Sequence, residues 1–260
     1  MMRSLWTATT GMSAQNLNLD VIANNLANVS TTGFKKSRAD FQDLIYQKMK
    51  VPGAPTSDDT MSPTGIQVGV GVKTAGITKV FTEGDLSETE NELDLAIEGD
   101  GFFQVDLPNG NTAYTRAGNF KKDGDGRLVT SDGYTLQPEI VIPEGATELT
   151  ISESGIVSAL LDDETESTEL GNIELAIFVN PAGLTAIGQN LFRETEASGV
   201  AATGTPGEDS YGQLLQGYIE TSNVNLVEEL ANMITTQRSF EINSNVVSTS
   251  DEMMQTVTNM

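Results

Sequence analysis

The sequence of 260 residues contains neither cysteine nor histidine. Without cysteine there is no disulfide framework, thiolate nucleophile, cysteine-ligated zinc site or iron–sulfur cluster. Without histidine there is no Ser-His-Asp triad, no imidazole acid–base group and no histidine-ligated metal. An enzyme built from this chain would have to work with Asp, Glu, Lys, Tyr, Ser or Thr alone, so enzyme is the less favoured class. No apolar run approaches the roughly 20 residues of a membrane span. The opening Met1-Met2-Arg3-Ser4-Leu5-Trp6-Thr7-Ala8-Thr9-Thr10 also lacks the apolar core of a cleavable signal peptide. Taken alone, these absences predict a soluble chain that stays in the cytoplasm or leaves by a route that reads no cleaved signal.

Basic residues are scarce, 14 against 37 acidic, for a net charge of −23. Residues 1–50 are nevertheless net +3, whereas residues 83–170 are net −17. Such a field repels nucleic acid and anionic membrane. A solvated outer surface accounts for it, with a calcium- or polycation-binding face as the sharper alternative. The best candidate for the latter, Asp123-Gly124-Asp125-Gly126, reaches its glycine too early for an EF-hand loop and reads better as a hairpin turn.

What is present divides into three zones. The first 30 residues lack proline and repeat apolar residues every seventh position at Leu5, Met12, Leu19 and Leu26. A second helical zone opens near Asn223–Asn225, where Asn225 followed by Glu228 resembles a capping box, and repeats Leu226, Met233, Phe240, Val247 and Met254. The positions four further on are mixed or polar: Thr9, Asn16, Ala23 and Ser30 in one zone, Leu230, Gln237, Ser244 and Asp251 in the other. A self-sufficient coiled coil wants both seams apolar. These helices, ~45–54 Å long if complete, are therefore expected to pair as a hairpin or to join a larger helical assembly, with loose ends in the free monomer.

Between the helices the pattern is β. Ile66–Val72 alternates; Gly101–Leu107 and Thr112–Arg116 read as a hairpin; Gly118–Lys121 and Arg127–Thr130 repeat it around the Asp123–Gly126 turn, and Ser131–Leu136 adds another. Further strands are expected at Glu139–Ile142, Glu148–Ile151, Ile156–Leu160 and Ile173–Val179, together an antiparallel sandwich or barrel. Val51–Pro63, with three prolines, reads as irregular, and Glu196–Asp209 as a loop or connector.

Three motifs then carry a resemblance. Ile22-Ala23-Asn24-Asn25-Leu26-Ala27-Asn28-Val29-Ser30-Thr31-Thr32-Gly33-Phe34-Lys35 resembles the N-terminal signature of the bacterial flagellar axial proteins, the rod and hook group. Glu98–Phe103 with Tyr114–Phe120 resembles that group's β domain, and Ser222–Leu230 with Gln237–Asn243 its C-terminal helix. The extra stretch from Tyr46 to Pro63 points to the distal-rod branch, with the hook or proximal-rod branches as runner-up.

The resemblance implies an α+β fold in which residues 1–30 and 224–260 form a coiled-coil-like helical inner-tube domain. Residues 31–87 and 200–223 would form a connecting domain with the extended stretch 46–63, and residues 88–199 an outer antiparallel β domain. It implies a subunit of a straight, hollow helical drive shaft in the basal body, exported without a cleaved signal peptide and spanning the periplasm to the outer membrane. The implied partners are further copies of the chain, proximal rod proteins, hook protein, the P- and L-ring proteins as bushing and the flagellar export apparatus. No cofactor, metal, nucleic acid or small-molecule substrate is implied. The expected polymer interface is Leu5, Met12, Leu19, Leu26, Asn24, Asn25, Asn28, Leu226, Leu230, Met233, Phe240, Val247 and Met254. The stretch expected to straighten the polymer contains Tyr46, Pro52, Pro55 and Pro63. Asn16 and Asn18 extend the asparagine-rich face, which reads equally as a set of inter-subunit amide bridges or as an ordinary polar helix face. Two other classes compete: a glycoside hydrolase using paired carboxylates, and an adhesin-like binding module; neither needs heptads at both extreme ends.

Overall fold

The computed structural model describes residues 2–52, 55–57, 60–61, 63–162 and 167–258. It is an α+β chain with a helix at each end and antiparallel strands between. Contacts divide it into two units: Met1–Ala27 with Ser37–Thr78 and Asn225–Met260, and Asn28–Lys36 with Lys79–Val224.

In the first unit, helix α1 runs Met2–Ala27 and helix α2 runs Leu226–Thr258. The start of α2 has a physical cause: Asn225 Oδ1 accepts from Val227 N at 3.0 Å and Glu228 N at 3.3 Å, satisfying two donors that the first turn leaves open. Glu228 and Glu229 in that turn complement the positive end of the helix dipole. Strand Ser37–Asp43 pairs with Val72–Lys79, and Tyr46–Lys50 pairs antiparallel with Ile66–Gly69.

Two expectations are corrected here. The alternating run Ile66–Val72 is not one strand, because the chain breaks at Gly71, whose φ of +129° favours glycine and whose added Cβ would strike Thr10 Oγ1. The proline-rich stretch is not wholly irregular either: Pro55–Ser57 pairs with Thr60–Met61. Pro55 is the first residue of its strand and Pro52 lies in a turn, positions that need no N–H donor.

The second unit is built on a nine-stranded antiparallel sheet. Its main path runs Lys121–Lys122, Leu128–Val129, Thr135–Gln137, Phe102–Asp106, Thr112–Thr115, Leu191–Arg193 and Thr185–Gly188. Leu175–Ile177 branches from Phe102–Asp106 and carries Ala202–Gly204 on its other side, so the expected loop Glu196–Asp209 contains a short edge strand. The hairpins expected at 101–116 and 118–130 form, with Gly126 at φ +84° closing the Asp123 turn. Glu139–Ile142, expected as a strand, makes only the single bridge Arg127–Val141; Pro138 and Pro143 bound it and leave no length for a ladder. Ile140 and Ile142 still enter the core with Leu95, Ile97, Phe103, Phe120, Leu128 and Leu136. A separate three-stranded sheet, Ala146–Ile151, Ile156–Leu161 and Thr168–Asn172, packs hydrophobic residues into the same core.

Candidate functional site

The two terminal helices touch along a seam that is small and polar. Asn18 Nδ2 donates to Thr236 Oγ1 at 3.1 Å, and a Cβ added to Gly11 would lie 3.1 Å from Asn243 Nδ2. A step of one heptad up α1 is thus a step of one heptad down α2, an antiparallel register that sets Asn25 level with Glu229. Glu229, Thr236 and Ser250 are buried and Asn243 is half-buried; on α1 the buried positions are Ala8, Ala14, Val21, Ile22 and Asn25.

The second seam read from the sequence does not take this role. Thr9, Asn16, Ala23 and Ser30, and Leu230, Gln237, Ser244 and Asp251, are exposed. In α2 the inward row lies three residues beyond the apolar row, not four. Gly11 leaves room for the Asn243 amide there, and Asn18 donates to Thr236 across the seam.

The apolar heptads are left incompletely covered. Leu5, Met12, Leu19, Leu26, Met233, Val247 and Met254 are half-buried, while Leu226 is 46% and Phe240 37% exposed. Burying a leucine or phenylalanine side chain fully is worth about 1.5–3 kcal/mol, so this row retains unspent burial. Asn25 spends both ends of its amide inside the chain, donating to Ser37 O and accepting from Ser37 N, each at 2.9 Å. Asn28 Oδ1 accepts from Thr31 Oγ1 at 3.2 Å, and Asn24 is exposed. In the stretch 46–63, Tyr46, Pro52 and Pro63 are exposed; the side chain of Pro55 lies outside the described residues. Removing the cap of α2 gives a direct readout of helix integrity: Asn225→Ala is expected to cost about 1 kcal/mol, measured as a lower unfolding midpoint by circular dichroism.

A second cluster, absent from the sequence reading as a cluster, sits in the β unit where the chain arrives from α1 and departs towards α2. Lys35 and Glu220 form an ion pair at 2.5 Å, and Lys35 Nζ also donates to Thr82 O at 2.6 Å. Arg116 Nη1 lies 3.4 Å from the other Glu220 oxygen, while its Nη2 donates to Gly99 O at 2.6 Å. Gly84 N donates to Glu220 Oε1 and Gly33 N to Glu220 O, both at 2.8 Å. Asn223 completes the neck, accepting from Lys36 N at 2.7 Å and donating to Val80 O at 2.9 Å. All three charged side chains are essentially buried. Burial holds Lys35 below the usual lysine range, although Glu220 pulls the other way. Burial likewise lowers Lys79, whose ammonium stands 5.0 Å from the Phe34 ring.

Two charged motif residues therefore share one carboxylate across 185 positions of chain, and the arrangement fastens 33–36 to 220–223. Glu220 is one acid among 37, and no local pattern distinguishes it. The nearest available signal is that Lys35 and Arg116 interrupt otherwise apolar or glycine-bearing motifs. Neither cluster pairs a nucleophile with a base, and among the described residues no group of three or more Asp or Glu could hold a metal ion.

Comparison with known proteins agrees. Residues 5–35 match the family described as "Flagella basal body rod protein", residues 96–159 the "Flagellar hook protein FlgE/F/G D1 domain", and residues 215–260 the "Flagellar basal body rod FlgEFG protein C-terminal". The chain is 51% identical to a flagellar basal-body rod protein FlgG of Buchnera aphidicola subsp. Schizaphis graminum, covering 98% of both chains. It is 51% identical to the FlgG of Borreliella burgdorferi, covering 100% of this chain and 99% of that one. A flagellar hook protein FlgE of Helicobacter mustelae is 46% identical but matches only 53% of this chain and 30% of its own length. With both helices, the buried neck and the β unit included in matches that run end to end, the chain belongs to the FlgG type of flagellar basal-body rod proteins, a structural family and not an enzyme family.

Proposed function

We propose that this chain is the repeating subunit of the flagellar distal rod, a straight, hollow helical shaft that transmits torque to the hook and conducts exported subunits. The observation that carries this reading is the division of labour on the terminal helices. Within one chain they meet through Asn18, Thr236, Gly11 and Asn243, which leaves the apolar heptads half-covered and available to neighbouring copies. A head-to-tail contact whose rotation does not close gives an open helical polymer. In this reading residues 1–30 and 224–260, paired in coiled-coil fashion, form the inner tube. Residues 31–87 and 200–223 connect, and 88–199 face outward inside the P- and L-rings, across the periplasm. The contacts with neighbours fall to Leu5, Met12, Leu19, Leu26, Leu226, Leu230, Met233, Phe240, Val247 and Met254, with Asn24 and Asn28 beside them. Asn25 contributes indirectly, by fixing Ser37. Proximal rod proteins, hook protein and the export apparatus are the remaining partners, and export uses no cleaved signal.

Full-length coverage of the rod relatives, against partial coverage of the hook relative, favours the rod over the hook reading. The stretch 46–63 supplies the test. Its deletion is expected to give curved or flexible polymers when imaged by electron microscopy, and straight rods from the deleted chain would refute the straightening role.

A further inference from the structure

The turn Asp123-Gly124-Asp125-Gly126 needs a glycine at Gly126, where φ is +84°. Gly124 is different: it lies outside the left-handed region, and an added Cβ would meet nothing within 4 Å. An aspartate or asparagine before glycine is open to a spontaneous backbone reaction, because glycine has no side chain to shield its nitrogen. The sequence holds five such pairs: Asp100-Gly101, Asn109-Gly110, Asp123-Gly124, Asp125-Gly126 and Asp132-Gly133. What each glycine nitrogen does separates them. Gly110 N donates to Leu107 O at 2.9 Å, Gly126 N to Asp123 O at 3.0 Å and Gly133 N to Thr130 O at 2.9 Å, so a backbone carbonyl holds each. Gly101 is buried, and a Cβ added there would stand 3.2 Å from the Leu175 side chain. Gly124 N instead faces the carboxyl of the residue before it, 2.7 Å from Asp123 Oδ1, on an exposed run from 121 to 125.

The geometry points to Asp123 as a modification site, at which the folded chain isomerises spontaneously to isoaspartate. Gly124 N attacks Cγ of the protonated Asp123 carboxyl. The amide hydrogen and the carboxyl hydroxyl leave together as water, closing a five-membered succinimide. Water then opens the ring. Cleavage between the nitrogen and Cγ restores aspartate, whereas cleavage between the nitrogen and the Asp123 main-chain carbonyl carbon leaves the backbone running through Cγ. The old carbonyl carbon is then the free carboxylate. The water lost is regained, so mass and charge are unchanged and no oxidant or cofactor enters. Holding nitrogen and carboxyl in contact removes the orientational cost that an unordered chain meets. The product changes the hairpin, because the backbone gains a methylene and the Asp123 carbonyl that accepts from Gly126 N becomes a carboxylate. Strand Lys121–Lys122 would lose the turn that joins it to its buried partners Leu128 and Val129.

The test ages the full-length chain for weeks in neutral buffer. Isoaspartate is counted by methyl transfer from labelled S-adenosylmethionine with an isoaspartyl carboxyl methyltransferase, and located by peptide mapping with electron-transfer fragmentation. The expected level at Asp123 is about tenfold or more that at Asp100, Asp125 or Asp132. Asn109 is scored apart, since loss of ammonia there changes the mass. Gly124→Ala, which the open turn accommodates, is expected to lower the Asp123 signal about tenfold while the unfolding midpoint stays. The same chain aged unfolded in urea should lose the preference, with Asp123 no faster than Asp125 or Asp132. Should Gly124→Ala fail to fold, this folded-against-unfolded comparison decides. Equal accumulation at the Asp–Gly pairs of the folded chain, a preference that survives in urea, or no isoaspartate at Asp123 overturns the proposal. The reaction is read on the soluble chain, so failure of polymerisation would overturn the rod reading and leave this one standing.

Discussion

Replacing Glu220 with glutamine is expected to destabilise the β unit by about 3–5 kcal/mol, the usual cost of breaking a buried ion pair by removing one partner. The shape of the side chain is kept, so the loss is electrostatic. Lys35 and Arg116 would stay buried without the carboxylate they share, and Lys35 already sits below the usual lysine range because of burial. Gly84 N would keep an acceptor, which limits the collateral loss of hydrogen bonding. Urea unfolding of the single variants Glu220→Gln and Lys35→Met and of the double variant gives the decisive comparison. The double variant is expected to be more stable than Glu220→Gln alone, because one uncompensated cation is gone. Additive losses would mean that the three groups do not act as a cluster.

The second large effect is expected at Gly118. Its carbonyl accepts from Leu95 N at 2.9 Å, and a Cβ added to it would overlap the Leu95 carbonyl oxygen while standing 3.3 Å from the Phe103 ring. The obstacle is backbone on one side and a fully buried phenyl ring on the other, so neither can yield cheaply. Gly118→Ala is expected to cost about 4 kcal/mol or more, at the extreme of single-substitution effects, measured as loss of the cooperative unfolding transition at low urea. Gly33→Ala combines the same kind of clash, 2.6 Å from Ala117 N, with a φ of +68°. Both glycines lie within motifs that a sequence reader notices, yet for each the reason becomes visible only when the opposing backbone is in place.

That difference describes how far the sequence was legible. The helices were readable because sevenfold apolar repetition, the absence of proline and the Asn225 cap act locally, and α1 and α2 fall within a few residues of the expected bounds. The hairpins of the β unit were readable for the same reason: Pro108–Asn111 and Asp123–Gly126 are turns by their own chemistry. The phase of helix contact was not. Hydrophobic periodicity shows which face would gain from burial, whereas within one chain the inward row is Thr236 and Ser250 with half-buried Asn243, where Gly11 permits close approach. Glu220 was illegible because its role depends on two cations brought from distant positions. In the stretch from Val51 to Pro63, prolines suggested irregularity, but a proline at a strand's first residue costs the ladder nothing.

The most direct test of the central claim is an electron cryomicroscopy map of the polymer assembled from the full-length chain, at a resolution that places side chains. The expected result is a straight tube with both terminal helices in its inner wall. Leu5, Met12, Leu19, Leu26, Leu226, Met233, Phe240, Val247 and Met254 should be buried there against neighbouring copies. A polymer held together by the β units alone, with those nine side chains still facing solvent, would contradict it.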